Sequence, residues 1–257
     1  MSRLVAIFAL ILGAFSAQAE GVERVVAALS QNAVSITTDF SGSQIFVYGA
    51  VERDRLPDNR DDNLDVIVTI SGPQQPVIVR KKDNSVGIWI NRERVKIDHA
   101  PSFYAVSTTG EMNEILDQIE DLRHKISVER AIRLVGAAGE VDDPQEFSDA
   151  IVRIRRASGI YFEQIGAVEK FGRTLFQTRV QLPANIIEGD YNAKIFLLRD
   201  GAVLDSYEVA IDVRKVGLER WIYNLAHEQP LMYGILSIIV ALVFGWGASE
   251  IFRLLRR

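Results

Sequence analysis

Through the first half of the chain, apolar and polar positions alternate with a period close to two. Val34-Ser35-Ile36-Thr37, Ile45-Phe46-Val47-Tyr48 and Leu64-Asp65-Val66-Ile67-Val68-Thr69-Ile70 are β-branched or aromatic and are bounded by Gly, Asp, Asn or Pro. That is the composition and punctuation of strands. Gln75–Lys82, Gly87–Ile97 and Phe103–Ser107 continue the pattern, with Asp83-Asn84 and Asn91-Arg92 as turns. The region up to about residue 107 therefore reads as antiparallel sheet.

The period then lengthens. Met112, Ile115, Leu116, Ile119, Leu122 and Ile126 fall at helical spacing, and Thr108 with Glu111 forms a capping-box pattern ahead of them, which predicts a helix from about residue 110 with this stripe in the core. Val128–Val135 adds a short helix. Asp143-Pro144-Gln145-Glu146 places an N-cap, a first-turn proline and an N3 glutamate in order, Phe147, Ala150, Ile151 and Ile154 supply an apolar face, and Gly159 ends the helix.

Strand pattern returns at Thr174 with Leu175–Val180, Tyr191–Leu198 and Val203–Val213, punctuated by Leu182-Pro183 and Asp200-Gly201. Glu188-Gly189-Asp190-Tyr191 ahead of an alternating strand has the form of the tyrosine corner of an immunoglobulin-like sandwich. The expected fold is mainly β: immunoglobulin-like sandwich material with a helical insertion at about 109–158, either as one sandwich or as two small β units, followed by one C-terminal transmembrane helix.

The two ends are apolar in different ways. Arg3, the run from Leu4 to Phe15 and Ala17-Gln18-Ala19 have the order of a signal peptide over residues 1–19. Leu231–Ser249 contains no charge over 19 residues and as a helix covers about 28 Å, close to the hydrocarbon thickness. Tyr233 and Trp246 lie near its ends, and Arg253, Arg256 and Arg257 follow. The expected order is an exported β-rich domain at 20–215, a juxtamembrane linker at 216–230, a span at 231–249 and a basic cytoplasmic tail at 250–257. The positive-inside rule puts the domain in the periplasm and the C-terminus in the cytoplasm, a single-pass arrangement in the inner membrane. Ser237, Ala241, Gly245 and Ser249 recur every fourth residue, a candidate helix–helix interface of small side chains.

Composition narrows the chemistry. With no cysteine there is no disulfide, thiol nucleophile, zinc–thiolate site or lipidated N-terminal cysteine. The net charge is −5, and setting aside Arg3, Glu250, Arg253, Arg256 and Arg257 leaves 25 basic against 33 acidic residues, −8, which disfavours nucleic acid as a partner. His99, His124 and His227 are isolated, without metal-ligand spacing. Asp54, Asp58, Asp61, Asp62 and Asp65 form the densest oxygen-ligand cluster, and Asp61, Asn63 and Asp65 match the opening of a calcium loop. The match then fails, because Val66 stands where the loop needs glycine and Gly72 where it needs glutamate. A solvated acidic loop is the first reading, and a divalent-cation site of irregular geometry the second. Arg80-Lys81-Lys82 and Arg153, Arg155 and Arg156 read as solvated charge before they read as an anion site. Gly136-Ala137-Ala138-Gly139 lacks the third glycine of a dinucleotide fingerprint, and no catalytic motif or cofactor signature is present.

Several segments carry a family likeness. Leu29-Ser30-Gln31-Asn32 leads into Val34-Ser35-Ile36-Thr37-Thr38-Asp39-Phe40-Ser41-Gly42. Leu182-Pro183-Ala184-Asn185 precedes Gly189-Asp190-Tyr191, and the end runs from Tyr233-Gly234 to Gly245-Trp246-Gly247 and Ile251-Phe252-Arg253. Together they resemble the alphaproteobacterial putative transmembrane protein family, a family of unknown function, over almost the whole mature chain. The resemblance implies this topology and no catalytic residues. Its context implies an accessory role beside integral membrane transporters of the sulfite/organosulfonate exporter type. The function expected from the sequence is a membrane-tethered periplasmic interaction module. A periplasmic receptor for a cation or small anion is the alternative, and an enzyme without a local motif the third.

Overall fold

The computed structural model describes residues 23–53, 64–85, 87–132 and 143–255. The signal segment, most of the acidic run including Asp61 and Asn63, and Gly136–Gly139 lie outside the described residues.

Strands β1 (Glu23–Leu29), β2 (Ala33–Ile36), β3 (Ser43–Arg53), β4 (Leu64–Ser71), β5 (Gln74–Ser85), β6 (Ile88–Pro101) and β7 (Tyr104–Thr108) come first. Helices α1 (Met112–Ile115), α2 (Gln118–His124), α3 (Val128–Ala131) and α4 (Pro144–Ala157) follow. Then come β8 (Tyr161–Gln164), β9 (Glu169–Phe171), β10 (Leu175–Leu182), β11 (Gly189–Arg199), β12 (Ala202–Lys215), α5 (Leu218–Glu228) and α6 (Pro230–Leu255).

Two sheets face each other. One has the order β1-β3-β10-β9 and the other β2-β12-β11-β4-β7-β8, with β5 and β6 as a separate two-stranded arm. Pairing is antiparallel except for β2 with β12 and β7 with β8. Val25, Ala27, Ile45, Val47, Phe176 and Val180 of the four-stranded sheet pack against Val66, Val68, Ile70, Ala193, Ile195 and Leu197 of the six-stranded one. The side chains alternate across each strand, so these residues form one sandwich core. Gly49 on β3 allows a close approach between strands, because a Cβ there would stand 2.5 Å from the Phe176 ring and 2.6 Å from the Val26 carbonyl oxygen.

The six-stranded sheet has a second buried face. Ile67, Tyr104, Val106, Phe196 and Leu198 point away from the sandwich and pack on Ile115, Ile126, Val128, Ile151 and Val152 of the helical segment. The result is two facing sheets around a shared core, with a helical layer on the back of the six-stranded one. Double burial accounts for the nearly unbroken apolar run of β4, whereas β10, covered on one face, alternates strictly.

The tyrosine corner is present: the buried Tyr191 donates its hydroxyl hydrogen to the Ile187 carbonyl at 2.9 Å. Asp200 and Gly201 both have positive φ, 49° and 86°, and close the β11–β12 hairpin as Asn/Asp-Gly turns do. Asp143 caps α4, accepting hydrogen bonds from the backbone N–H of Gln145 at 3.0 Å and of Glu146 at 3.4 Å.

Several sequence expectations need correction. Asp83-Asn84 and Asn91-Arg92 are not turns: Asp83 and Asn84 pair with Ile90 and Trp89, and the pairing of Lys81 with Glu93 but Lys82 with Asn91 makes Arg92 a bulge. Thr108 does not cap a helix; it ends β7 and donates to the Gly110 carbonyl at 2.6 Å. The helix expected from residue 110 to 126 breaks after Ile115, because the Asp117 N–H bonds to the Gly201 carbonyl at 3.0 Å and turns the chain. Ile119, Leu122 and Ile154, expected in the core, are exposed. Strands β1, β8 and β9 were not foreseen, and the juxtamembrane stretch is largely helical.

Candidate interaction surfaces

The outer face of the four-stranded sheet has no covering layer among the described residues. Val26, Ala50, Leu175 and Phe171 stand in register across its strands. Val26 is 52% exposed, Leu175 54% and Phe171 48%, with Tyr48 at 50% beside them. Phe46 extends the patch, and the Arg179 guanidinium lies 5.3 Å from its ring centre. Contiguous exposed apolar side chains of this size mark contact surfaces. The sequence held a signal for them, since Ile45-Phe46-Val47-Tyr48 puts apolar groups on both faces of one strand. It could not say which face would stay bare.

The charged candidates are largely engaged within the fold. The Asp65 carboxylate accepts a hydrogen bond from the Thr109 hydroxyl at 2.7 Å, and Lys170 lies 3.8 Å away. Among the described residues no group of three His, Asp or Glu is placed to hold a metal ion. His99 is exposed, His124 faces Glu120 at 3.4 Å, and His227 stacks on Tyr223 with ring centres 4.0 Å apart. Arg155 donates to the Pro101 and Ser102 carbonyls at 2.9 and 3.1 Å and covers the Tyr161 ring. Arg156 meets Glu129 at 2.9 Å and Glu163 at 3.0 Å. Arg153 lines an open groove of about 340 Å³ with Glu129, Asp149, Val152 and Arg156. Buried Arg53 lies 3.4 Å from Glu23, which also accepts from Arg199 at 2.8 Å. This cluster joins β1 and β3 to β11 across the sandwich.

Three tyrosines behave as structural pins. Tyr104 donates to the Ile126 carbonyl at 2.9 Å and Tyr161 to the Pro101 carbonyl at 2.5 Å, tying the helical layer and the arm to the sheet. Burial raises the pKa of both; Tyr161 is pushed up to about 12, the nearby Arg155 charge opposing the shift. Burial also raises that of Tyr191. On the surface, the hydrogen bond from Asn192 holds the Glu208 carboxyl below its usual range, helped by Lys194.

Helix α6 is the one helix among the described residues long and apolar enough to cross a membrane, over Pro230–Ala248, and none of that stretch is buried within the chain. Ser237, Ala241, Gly245 and Ser249 fall on one side of it by their spacing. The Ser237 hydroxyl donates back to the Tyr233 carbonyl at 2.8 Å, leaving the stripe smooth, and the Ser249 side chain is outside the described set. Ahead of it, α5 exposes Trp221 and Tyr223, the residue types that settle at membrane interfaces.

No curated protein matches the chain. A family model described as "Putative transmembrane protein (Alph_Pro_TM)" matches residues 24–254, from β1 to the end of the apolar helix. The match spans both the sandwich and the helix that follows it, and the chain belongs to this transmembrane protein family.

Proposed function

We propose that the chain is a membrane-tethered interaction module, without catalytic activity of its own, whose sandwich binds an integral membrane partner. One observation carries the proposal: the four-stranded sheet leaves Val26, Tyr48, Leu175 and Phe171 together on a bare outer face, while β4 and β11 at the centre of the other sheet are covered on both sides. In this arrangement residues 20–229 lie in the periplasm, and Arg253, Arg256 and Arg257 hold the C-terminus in the cytoplasm. The small-residue side of α6 offers the partner a second contact inside the bilayer. The partner class implied by the family context is a transporter of the sulfite/organosulfonate exporter type.

Mass spectrometry of what co-purifies with the tagged full chain from native membranes, in mild detergent, tests this. Native protein should recover one integral membrane protein. Tyr48→Ser with Leu175→Ser should lose it without lowering the melting temperature, and a polyleucine replacement of residues 231–249 should weaken it. Recovery of the same proteins with all three forms, or of none with the native chain, would overturn the proposal.

A further inference from the structure

The arm formed by β5 and β6 stands apart from the two sheets of the sandwich. Its 14-residue strand spans about 45 Å at strand rise. Only the base is supported. Val79 and Val95 pack on Phe147 of α4, and Lys81 bonds to Glu146 at 2.6 Å. Beyond Lys81 the arm is largely exposed, and the tip carries Ile88, Trp89 and Ile90 at 68%, 66% and 44% exposure. These are consecutive strand residues, so their side chains emerge on both faces. A protein groove reads one face of a hairpin; apolar side chains on both faces of one strand, opposite Asp83, Asn84 and Ser85 of the other, suit the boundary between water and an apolar phase.

Behind the tip the charge is one-sided. Arg80 stands directly opposite Arg94, and Lys96 opposite Ile78. By strand alternation Arg80, Lys82, Arg94 and Lys96 share the face turned away from α4. Asp98 meets Lys96 at 3.4 Å on this face, while Glu93 lies on the other with Lys81. A like-charge pair directly across a ladder destabilises a hairpin, so it is a cost the fold bears unless an anion offsets it.

The arm also starts from the right end. Asn192 pairs with Ser71 at the end of β4 and Gly189 with Val213 near the end of β12, so the arm and the path to the span leave the sheet at the same edge. Between that edge and the span stands α5, 11 residues, about 16 Å as a helix. The arm is longer than the spacer. Gly217, with nothing within 4 Å of an added Cβ, leaves the joint before α5 unobstructed.

We infer that the tip Ile88-Trp89-Ile90 inserts into the surface of an anionic phospholipid bilayer, with Arg80, Lys82, Arg94 and Lys96 on its headgroups, as a second membrane contact beside α6. Interfacial tryptophan backed by Lys and Arg is the chemistry of such contacts. The contact does not depend on the protein partner proposed above.

The test uses the full chain carrying Trp221→Phe and Trp246→Phe, reconstituted one per nanodisc, so that Trp89 is the sole tryptophan. Discs contain phosphatidylcholine alone or with phosphatidylglycerol, and acyl-chain-brominated lipid is the quencher. Trp89 should be quenched and blue-shifted in the anionic discs, and less so in zwitterionic ones or at high salt. Arg80→Glu with Arg94→Glu should cut the inserted population by about an order of magnitude or more, since each cation near an anionic surface contributes measurably. An unchanged melting temperature confirms that this variant is folded. Trp89 left unquenched in anionic discs overturns the inference, and so does quenching indifferent to lipid charge and to the reversal. The absence of proteins is common to every arm, so failure here leaves the partner proposal standing.

Discussion

The two sheets of this sandwich start from the same kind of strand and end in different surroundings. In the four-stranded sheet, β3 carries Ile45 and Val47 inward and Phe46 and Tyr48 outward; in the six-stranded sheet, β4 and β11 carry Val68 and Ile195 inward and Ile67 and Phe196 outward. Ile67 and Phe196 are buried, at 0% and 3% exposure, because the helical segment between β7 and β8 folds over them. Phe46 and Tyr48 receive no such cover among the described residues. An apolar outward residue is therefore a stability element on one sheet and a free contact surface on the other. What distinguishes them is where the insertion lies.

The largest expected effects test that difference directly. Phe196→Ala should remove about 3–5 kcal/mol, the range for truncating a buried aromatic. Tyr48→Ala should change stability by no more than about 0.5 kcal/mol, as a surface site at 50% exposure. Urea titration of the full chain in mild detergent, followed by near-ultraviolet circular dichroism, measures both. Equal losses would mean that the four-stranded face is covered after all.

The covered sheet also carries a pH signature. Tyr161 sits between the arm and the helical layer with its pKa raised by burial from 10 to about 12. Burial disfavours its ionised form in the folded state alone, so this contribution is fully present below pH 10. Between pH 10 and 12 the unfolded chain releases this proton and the folded chain keeps it, so unfolding stability falls as pH rises. A gap of two pH units corresponds to a few kcal/mol, on the order of 3. Urea titrations across this window should show the fall, and Tyr161→Phe should flatten it in part, since burial raises Tyr104 and Tyr191 as well.

A smaller effect belongs to the sandwich itself. Tyr191→Phe keeps the buried ring against Phe103 and removes only the bond to the Ile187 carbonyl. A loss of about 1 kcal/mol is expected, with the same titration as readout. The affinity of the Tyr48 face for its partner should not move, because the corner lies on the other sheet.

Much of this architecture was legible where a local rule governs it. The capping order Asp143-Pro144-Gln145-Glu146 gave the start of α4, Asp200-Gly201 the β11–β12 turn, Glu188-Gly189-Asp190-Tyr191 the tyrosine corner, and the uncharged run after Leu231 the membrane helix. What escaped depends on partners far along the chain. Val25-Val26-Ala27-Ala28 has no clean alternation and becomes β1 only because β3 offers it an edge. The short β8 and β9 are held as strands by pairing with β7 and β10. Asp83-Asn84 has turn composition but sits inside the arm, where the register with Ile90 and Trp89 outweighs it. Of the candidate surfaces, the small-residue side of α6 was visible because it follows one period, whereas the bare face required knowing which sheet the insertion covers.

The smallest expected effect separates periodicity from burial. Met112, Ile115, Leu116, Ile119, Leu122 and Ile126 have the spacing of one amphipathic helix, and on that spacing Leu122 belongs in the core. The break at Leu116 and Asp117, held by the bond to the Gly201 carbonyl, rotates α2 relative to α1. Ile115, Leu116 and Ile126 stay buried, while Ile119 and Leu122 face outward at 72% and 61% exposure. Leu122→Gln should then change unfolding stability by no more than about 0.5 kcal/mol, whereas a core position would lose several times that. Asp117→Pro in the same background removes the N–H that holds the break, and should destabilise the helical layer and with it the cover over Phe196. A silent Leu122→Gln beside a costly Asp117→Pro places the energy of this segment in its break rather than in its stripe.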